Sequence, residues 1–298
     1  MEAHSEPTTS IATVAASASV STSAIKPPTP IRFVTYNLLV ADPWYEDDVK
    51  GSIVPKYRHW HDASGIRKRL LKAAVQDTDV MALVEVTPEM MAYVTPATHL
   101  YVYANRPGEE LGSAIVYDAT RFELMASVCI RLNAQAVQIA TNVLLRDRTC
   151  SGSNKVLCVT ALHLKSGYAD MELRRQREIQ VAVAKTNAWL VKQAALHQWQ
   201  LGSIAHVVAG DLNSDRLAYK SLVQAYMLEQ GFTDAFGDYK ESNYWTYNYW
   251  HKSIFDYVFV TGNTLSVSDR FVPVSTQPSP NEKQGSDHLP MYCNLLLQ

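Results

Sequence analysis

The sequence predicts an α/β fold in which two mixed sheets stack on each other and helices cover their outer faces. From Ile31 onward, short apolar runs typical of buried strands alternate with amphipathic stretches typical of helices. The segment from Arg121 to Leu162 is nearly all strand. A uniform parallel sheet would place a helix after each strand, so this segment favours two stacked sheets.

The apolar pattern predicts the elements in chain order. Runs rich in Val, Ile and aromatic residues predict strands at residues 31–36, 80–86, 101–104, 114–117, 137–144, 156–162, 205–209, 254–260 and 291–297. Periodic apolar spacing predicts helices at residues 66–76, 171–198 and 215–230, and Gly231 is expected to cap the last one. Residues 152–154 predict a hairpin turn.

Length and composition favour a single domain over residues 31–298. A chain of 298 residues with 47% hydrophobic content can bury a large core, and the polar motifs described below come from both halves of the chain. The 27 basic and 29 acidic residues nearly cancel. No overall field attracts polyanions, so we expect any nucleic-acid contact to be confined to one cleft.

Residues 1–30 differ in composition from the rest of the chain. They are rich in Ala, Ser and Thr, contain no aromatic residue and end in a proline-rich stretch. We therefore expect a disordered tail that takes no part in the function of the domain. The tail lacks the basic start of a signal peptide and the arginines of an organelle transit peptide. No apolar run approaches the length of a membrane span.

The cysteines point to a reducing compartment. Cys129, Cys150, Cys158 and Cys293 are scattered without C-x-x-C spacing, which favours neither a zinc site nor a disulfide framework. We expect a cytoplasmic protein without membrane association, with nuclear or mitochondrial localisation as the alternative. The oligomeric state stays open.

Six short motifs place acidic, amide or imidazole side chains at or near the ends of apolar, strand-like runs. Their order and their spread from residue 35 to residue 289 are hard to produce by chance, and together they predict a divalent-metal phosphodiesterase site. In chain order, the motifs are Thr35-Tyr36-Asn37, Leu83-Val84-Glu85-Val86, Ala161-Leu162-His163-Leu164, Gly210-Asp211-Leu212-Asn213, Phe255-Asp256-Tyr257 and Ser286-Asp287-His288-Leu289.

Hard oxygen ligands in these motifs predict Mg²⁺ binding, with Mn²⁺ as the alternative. Mg²⁺ is usually held by one or two carboxylates and keeps several waters. Glu85 is the best candidate for the main ligand, with Asp287 as the second. Asn37 follows a strand directly and is expected to support a metal ligand or to bind phosphate.

The Gly-Asp-Leu-Asn motif predicts the groups that act on the attacking water and on the phosphate. It follows an apolar strand that runs into a glycine turn. Hydrolysis of a phosphodiester needs a carboxylate that orients and deprotonates water and an amide that holds a non-bridging oxygen. We assign these roles to Asp211 and Asn213. An ordinary Asx turn is the alternative interpretation.

His288 is expected to stabilise, as an imidazolium, the charge that develops on the phosphorus. This role needs a carboxylate that fixes the tautomer and raises the pKa of the ring. Asp256 is the predicted partner, because a carboxylate inside an apolar strand is costly unless it is paired. His163 ends another strand and is a further catalytic candidate, with a structural role as the alternative.

Aromatic and basic residues suggest a single-stranded nucleic acid as the substrate. Tyr244, Trp245, Tyr247, Tyr249 and Trp250 crowd the segment before Asp256. Such rings hold unpaired bases by stacking, and Trp250 is the ring that we assign to substrate binding; core packing is the alternative for part of this group. Lys165 and Arg175 are expected to hold backbone phosphates, with solvated helix positions as the alternative.

These motifs resemble the ordered signature of the endonuclease/exonuclease/phosphatase superfamily over about residues 31–298. The opening residues 36–42, the segment from Ser242 to Asp256, and His163-Leu164-Lys165 with Glu172 and Arg175 are similar to the branch that contains nocturnin, Angel and the catalytic deadenylases. The resemblance implies a four-layered, DNase I-like α/β/β/α sandwich with a Mg²⁺ site at the open end of the two sheets.

The resemblance implies a Mg²⁺-dependent phosphodiesterase, and within this branch a 3′-5′ exoribonuclease that is specific for poly(A). A tyrosyl-DNA phosphodiesterase-like or DNA-repair nuclease is the first alternative, followed by a small-molecule phosphatase of the same superfamily. Val84 stands where the family usually has Gln, and Phe255 replaces the usual Ile. Both changes leave the carboxylates intact. A catalytically silent binding module is the alternative of another class, and the complete set of acidic residues disfavours it.

Overall fold

Two six-stranded sheets stack face to face with helices on both outer faces, which is the α/β/β/α sandwich that the sequence predicts. The computed structural model describes residues 29–39, 60, 65–105, 111–133, 138–150, 155–218, 220–239, 244–248, 252–275 and 283–298. Some predicted features lie outside these ranges, namely the tail over residues 1–28, the hairpin turn at residues 152–154, and the aromatic residues Tyr249 and Trp250.

Both sheets are mixed. The strands are β1 (Ile31–Asn37), β2 (Val80–Val86), β3 (His99–Asn105), β4 (Gly112–Asp118), β5 (Phe122–Arg131), β6 (Ile139–Asp147), β7 (Val156–His163), β8 (Ala205–Asp211), β9 (Phe232–Asp234), β10 (Tyr247–Asn248), β11 (Lys252–Ser253), β12 (Asp256–Thr261), β13 (Leu265–Phe271) and β14 (Met291–Leu297). The first sheet has the order β13-β14-β1-β2-β4-β3 and the second β5-β6-β7-β8-β12-β9. The first sheet contains the parallel pair β1–β2, and the second contains the parallel pair β7–β8. The neighbours of each pair run antiparallel to it.

Helices pack against the outer face of each sheet. They are α1 (Ile66–Val75), α2 (Pro88–Val94), α3 (Glu172–His197) and α4 (Leu222–Glu229). Leu71 of α1 and Met91 of α2 share a buried cluster with Met81 of the first sheet. Ile179 of α3 packs with Val208 of the second sheet. Among the described residues, none of these helices combines the length and apolar composition needed to cross a lipid bilayer.

The period-two alternation of the strands builds the core between the sheets. Phe33 of β1 faces inward and packs in one cluster with Val159 and Val207 of the second sheet, whereas its neighbour Val34 faces the outer helices. Successive strand side chains point to opposite faces, and both faces of these strands are covered. This explains why the strands are nearly continuous apolar runs in the sequence.

The last predicted helix begins later than the sequence indicates. The prediction places it at residues 215–230, but α4 begins at Leu222, where the Oγ of Ser221 accepts the Gln224 amide at 2.9 Å. Asp215 instead accepts the Leu217 amide at 2.9 Å and so forms an Asx turn. Local bonds of this kind compete with the helix. Gly231 follows the helix with a φ of 81°, as its predicted capping role requires.

Some elements were not singled out from the sequence. β13 has a largely exposed pattern because it lies at a sheet edge, and β9 has only three residues. The predicted strand over residues 254–260 begins at Asp256. Helix α2 carries a local signal, since the Thr87 side chain caps its first turn and Pro88 is its first residue.

The residues just before β1 are bound to the domain. Arg121 donates to the carbonyl oxygens of Pro30 at 2.9 Å and Thr29 at 2.5 Å. The same guanidinium pairs with Asp147 at 2.8 Å and is almost fully buried. Thr29 and Pro30, which the sequence assigns to the tail, are therefore exposed but hydrogen-bonded to the end of the sandwich where β1 begins.

Strand directions bring the six motifs to the other end of the sandwich. β1 is parallel to β2 and β7 is parallel to β8, so their carboxyl ends coincide within each sheet. β12 runs antiparallel to β8 with Asp256 opposite Asp211. β14 runs antiparallel to β1 with Met291 opposite Thr35, so the segment before it returns to the same end.

Candidate active site

Glu85 projects from a bulge in β2. Its φ is 54°, in the left-handed region that residues other than glycine rarely adopt, and the β2–β4 register shifts between Val84 and Val86. A bulge re-aims a side chain at the end of a strand. Backbone strain of this kind costs on the order of 1–3 kcal/mol and is concentrated at functional sites. The sequence predicts the strand-end position of Glu85, and the bulge directs its side chain.

Gly210 allows Asp211 to lie against the end of β7. Its φ is 137°, and a Cβ at this position would lie 2.0 Å from the carbonyl oxygen of Leu162. The pairing continues with His163 opposite Asp211. Only glycine fits both the conformation and the close approach.

Asn37 joins the two sheets through Glu85 and Asp211. Its Nδ2 donates to Glu85 Oε1 and to Asp211 Oδ2, both at 3.0 Å, while its Oδ1 accepts the Leu39 amide at 2.9 Å. His163 Nε2 lies 3.6 Å from Glu85 Oε1 and 3.7 Å from Asp211 Oδ2. Side chains from four strands thus converge on one point between the sheets.

His288 and Asp256 form a second group that shares Asp211. His288 Nδ1 lies 2.7 Å from Asp256 Oδ2, and its Nε2 lies 3.5 Å from Asp211 Oδ2. The rings of Tyr247 and Phe255 lie beside His288, with centroids 5.2 and 6.4 Å from the imidazole. Both rings are only partly buried, whereas His288 itself is buried. The aromatic surface beside the imidazole is therefore partly exposed to solvent.

Burial and close charges set the protonation of this site. Burial raises the pKa of Asp211 to about 7; the His288 charge opposes this shift, and the negative charges of Asp256 and Glu85 add to it. Burial lowers the pKa of His288, but Asp256 and Asp211 outweigh burial and raise that pKa well above its ordinary value. The imidazolium is therefore favoured between two carboxylates.

The donor set fits a hard divalent cation. Ligand atoms of Glu85, His163 and Asp211 all lie within 4.8 Å of one another, and the same holds for Asp211, Asp256 and His288. Within the described ranges, Asp256 Oδ1 is buried without a hydrogen-bond partner. Both groups contain carboxylate oxygens, which Mg²⁺ and Mn²⁺ prefer as ligands. Glu85 is the residue that would hold the cation, with Asp211 and His163 beside it.

Asp287 and Asn213 lie next to this centre with part of their polar groups engaged. Asp287 belongs to neither ligand group in the part of the chain that the structure describes, and Asp211 is the carboxylate grouped with Glu85. The role of Asp287 as a second metal ligand stays a prediction. Asn213 has a φ of 52°; its amide nitrogen donates to the Leu164 carbonyl at 3.1 Å, and its backbone N–H donates to Asp211 Oδ1 at 2.9 Å.

The structure corrects the predicted role of Arg175. Its side chain is completely buried and donates to the carbonyl oxygens of Lys165 and Gly167, so it is not available to a substrate phosphate. Lys165 is half-buried at the start of the loop after His163. Trp250, the ring that the sequence analysis assigns to base stacking, lies outside the described residues.

Several supporting residues were missed from the sequence. Thr246 is fully buried, and its Oγ1 accepts the backbone amides of Phe255 and Asp256 at 3.0 and 3.1 Å, which fixes the start of β12. Arg67 of α1 donates to the carbonyl oxygens of Leu38 and Gly285 and so ties together two of the site loops. Thr246 lies in the aromatic segment noted above, whereas Arg67 has no local signal.

Comparison with known proteins agrees with this geometry. The sequence profile described as the Endonuclease/Exonuclease/phosphatase family matches residues 34–288. No curated protein matches the chain by sequence.

Solved structures share the fold at low sequence identity. The human nocturnin catalytic domain with bound sulfate is 19% identical (TM-score 0.67; 91% of this chain and 94% of that chain covered). ANGEL2, a 2′,3′-cyclic phosphatase, in complex with adenosine-2′,3′-vanadate is 16% identical (TM-score 0.70; 91% and 96%). D. rerio TDP2 humanized by 14 mutations is 16% identical (TM-score 0.60; 89% and 98%). The chain belongs to the endonuclease/exonuclease/phosphatase family, whose members are metal-dependent hydrolases of phosphate esters.

Proposed function

We propose that the protein is a Mg²⁺-dependent phosphodiesterase that removes nucleotides from single-stranded RNA in the 3′-to-5′ direction, with adenosine favoured. The observation that carries this proposal is the convergence of Glu85, Asp211, His163 and the Asp256–His288 pair at one end of the sandwich. Partly buried aromatic rings lie directly beside that centre.

The residues divide the chemistry between them. A bound divalent cation stabilises charge on the phosphoryl oxygens and orients the substrate. Asp211 orients the attacking water and accepts its proton. His288, held by Asp256, faces the same point through Nε2 and stabilises the negative charge that develops on the phosphoryl group. Asn37 keeps the carboxylates of Glu85 and Asp211 at a fixed separation.

Aromatic rings and charge support a single-stranded substrate. Tyr247 and Phe255 pack with ring centroids 5.2 Å apart next to His288, and stacking on such rings contributes about 1–3 kcal/mol per base. The chain has a formal net charge of −2. It therefore lacks the broad excess of positive charge that duplex binding through phosphate neutralisation requires.

One structural neighbour favours a second candidate. ANGEL2 is a 2′,3′-cyclic phosphatase, and its structure contains an adenosine ligand with a vanadate at the 2′ and 3′ positions. Opening of a 2′,3′-cyclic phosphate at an RNA end would use the same cation, carboxylate and imidazole. It differs from stepwise digestion because the chain length of the RNA does not change.

Product analysis on a small set of labelled substrates separates these candidates. The purified chain is incubated with oligo(A), mixed-sequence RNA, RNA ending in a 2′,3′-cyclic phosphate, a 5′-tyrosyl oligonucleotide and duplex DNA, each with Mg²⁺ and with excess EDTA. We expect Mg²⁺-dependent shortening of 5′-labelled oligo(A) from its 3′ end, faster than for mixed RNA. The Asp211→Asn variant controls for contaminating nucleases.

Each other outcome assigns a different activity. Cyclic-phosphate opening without shortening supports the second candidate. Preferential release of tyrosine would support the tyrosyl-DNA phosphodiesterase-like alternative. Turnover of small phosphate esters only would indicate a phosphatase. Equal activity in EDTA would contradict a role for a divalent cation.

A further inference from the structure

The first turn of α3 places a buried ion pair between two loops of the active site. Glu172 Oε2 accepts from Arg175 Nη1 at 3.2 Å, and both side chains are almost completely excluded from solvent. A buried ion pair is costly to form unless further hydrogen bonds satisfy it. Its hydrogen-bond partners include backbone and side-chain groups of the two segments that follow β7 and β8.

Arg175 holds the loop that follows His163. It donates through Nε to the Lys165 carbonyl at 2.8 Å and through Nη2 to the Gly167 carbonyl. One turn further along α3, Glu178 accepts the Lys165 amide at 2.9 Å. Lys165 is thus held on both sides of its backbone, two residues beyond His163. The position of the His163 ring is tied to α3 through these bonds.

Glu172 holds the loop that follows Asn213. Its Oε1 accepts from Ser214 Oγ at 2.5 Å and from the Leu222 amide at 2.8 Å. Tyr257 donates its hydroxyl to the Ser214 carbonyl. Asn213 has the left-handed conformation noted above, which persists only when surrounding structure enforces it. Ser214, the next residue, is held by Glu172 through its side chain and by Tyr257 through its carbonyl oxygen, and these bonds restrain the conformation of Asn213.

The two loops also contact each other, because Asn213 donates to the Leu164 carbonyl at 3.1 Å. We propose that Glu172 and Arg175 are positioning residues, which hold His163 and Asn213 in their places relative to Asp211 through these two loops. This inference rests on the proposed phosphodiesterase chemistry. Misplacement of reacting groups by about 1 Å can lower turnover about 100-fold, so loss of the pair should reduce kcat rather than substrate affinity.

A matched ion pair at the opposite end of the sandwich separates positioning from stability. Arg121 is also buried, pairs with Asp147, and donates to the carbonyl oxygens of Thr29 and Pro30. Arg175→Met and Arg121→Met each keep an unbranched apolar side chain and remove the guanidinium. Both variants should lower the melting temperature. Turnover of bis(p-nitrophenyl) phosphate with Mg²⁺ is then measured well below both melting temperatures.

We expect kcat to fall about 100-fold in Arg175→Met with KM changed only a few-fold, and to stay near the native value in Arg121→Met. Glu172→Gln should lower kcat in the same way, and the double variant with Arg175→Met should lose little more, because the two residues act as a unit. Equal kcat values in Arg175→Met and Arg121→Met, after correction for folded fraction, would overturn the proposal.

Hydrogen exchange gives a readout that does not depend on activity. Backbone amides of residues 163–168 and 212–222 should exchange faster in Arg175→Met and not in Arg121→Met. If Arg175→Met fails to fold, Ser214→Ala removes the hydroxyl that bonds Glu172 and Ser221, and it should raise exchange in residues 212–222 and lower kcat. Unchanged exchange in these loops would refute the positioning role. A native chain without turnover would instead count against the proposed function, and the exchange comparison would still decide the inference.

Discussion

His288 Nδ1 lies 2.7 Å from Asp256 Oδ2, and this pair turns the other ring nitrogen toward Asp211 Oδ2 at 3.5 Å. Asp256 is the first residue of β12 and lies opposite Asp211 in the β8–β12 pair. The sheet register therefore fixes the distance between the two carboxylates, and the imidazole lies between them. Strands β8 and β12 and the segment before β14 therefore cannot move independently at this point.

Asp256→Asn should remove the charge that holds the imidazolium while keeping the size of the side chain. We expect kcat for a chromogenic phosphodiester to fall about 10²–10⁴-fold, the range of acid–base contributions, with an unchanged circular dichroism spectrum. Asp234→Asn is the matched control, because Asp234 is a buried acid on the neighbouring β9 that pairs with Arg216. A similar loss of kcat in both variants would mean that any buried acid of this sheet affects turnover through stability.

Asp211→Asn and Glu85→Gln should both impair hydrolysis, but for different reasons. The amide at position 211 cannot accept a proton from water, so hydrolysis should be abolished while the fold persists. Glu85→Gln should instead raise the Mg²⁺ concentration that gives half-maximal activity, because a ligand charge is lost. Titration of activity against Mg²⁺ distinguishes the two. Near-native turnover in Asp211→Asn would rule out this residue as the base.

Gly210→Ala should destabilise the protein and displace Asp211. The added Cβ would meet the Leu162 carbonyl at 2.0 Å in a conformation with φ of 137°, which costs on the order of 3 kcal/mol in strain and overpacking. Gly202→Ala is the control, because nothing lies within 4 Å of a Cβ there. Urea unfolding of both variants measures the effect, and equal midpoints would show that the β7–β8 contact adapts.

His206 should make the stability depend on pH. Burial lowers the pKa of His206 to about 4, below the ordinary value of about 6.5. Between these values the unfolded chain binds more protons than the folded chain, so the free energy of unfolding should fall as pH decreases from 6.5 to 4. The loss is on the order of 3 kcal/mol.

The His206→Gln variant isolates this contribution. His206 Nε2 lies 2.9 Å from Thr160 Oγ1, in a buried polar chain that continues to Asn142. The variant should be less stable at pH 7 and show a shallower decline of unfolding free energy toward pH 4. Urea unfolding at several pH values provides the measurement. Parallel curves for the native chain and the variant would assign the acid sensitivity to other groups.

Two deletions of the tail should differ in their effect on stability, because one removes residues 1–28 alone and the other also removes residues 29 and 30. Deletion of residues 1–28 should leave melting temperature and turnover nearly unchanged, because their composition offers little to bury. Deletion of residues 1–30 should lower the melting temperature further, since Arg121 loses two backbone acceptors. A large effect of the shorter deletion on turnover would show that the tail contributes to the domain.

Much of the fold and of the site was predictable because the signals are local. Short apolar runs and the amphipathic stretches between them are properties of a few neighbouring positions, and they predicted the two stacked sheets. Acidic and imidazole residues at strand ends identified Glu85, Asp211 and His288 as candidates. The predicted start of α4 was wrong because the side chain of Asp215 forms a local hydrogen bond with the Leu217 amide. The apolar periodicity of a sequence carries no information about such bonds.

By itself, the sequence determined which chemical groups are present and at which strand ends they stand. Only the tertiary structure decided which of them meet. Asn37 bonds Asp211 across 174 positions, and Glu172 bonds the Leu222 amide across 50. Arg175 is therefore a buried anchor rather than a phosphate ligand, and Asp211 is the carboxylate that Asn37 joins to Glu85. The reason is physical: the burial and the partners of a charged side chain depend on segments that are distant in sequence and that only sheet register and loop packing bring together.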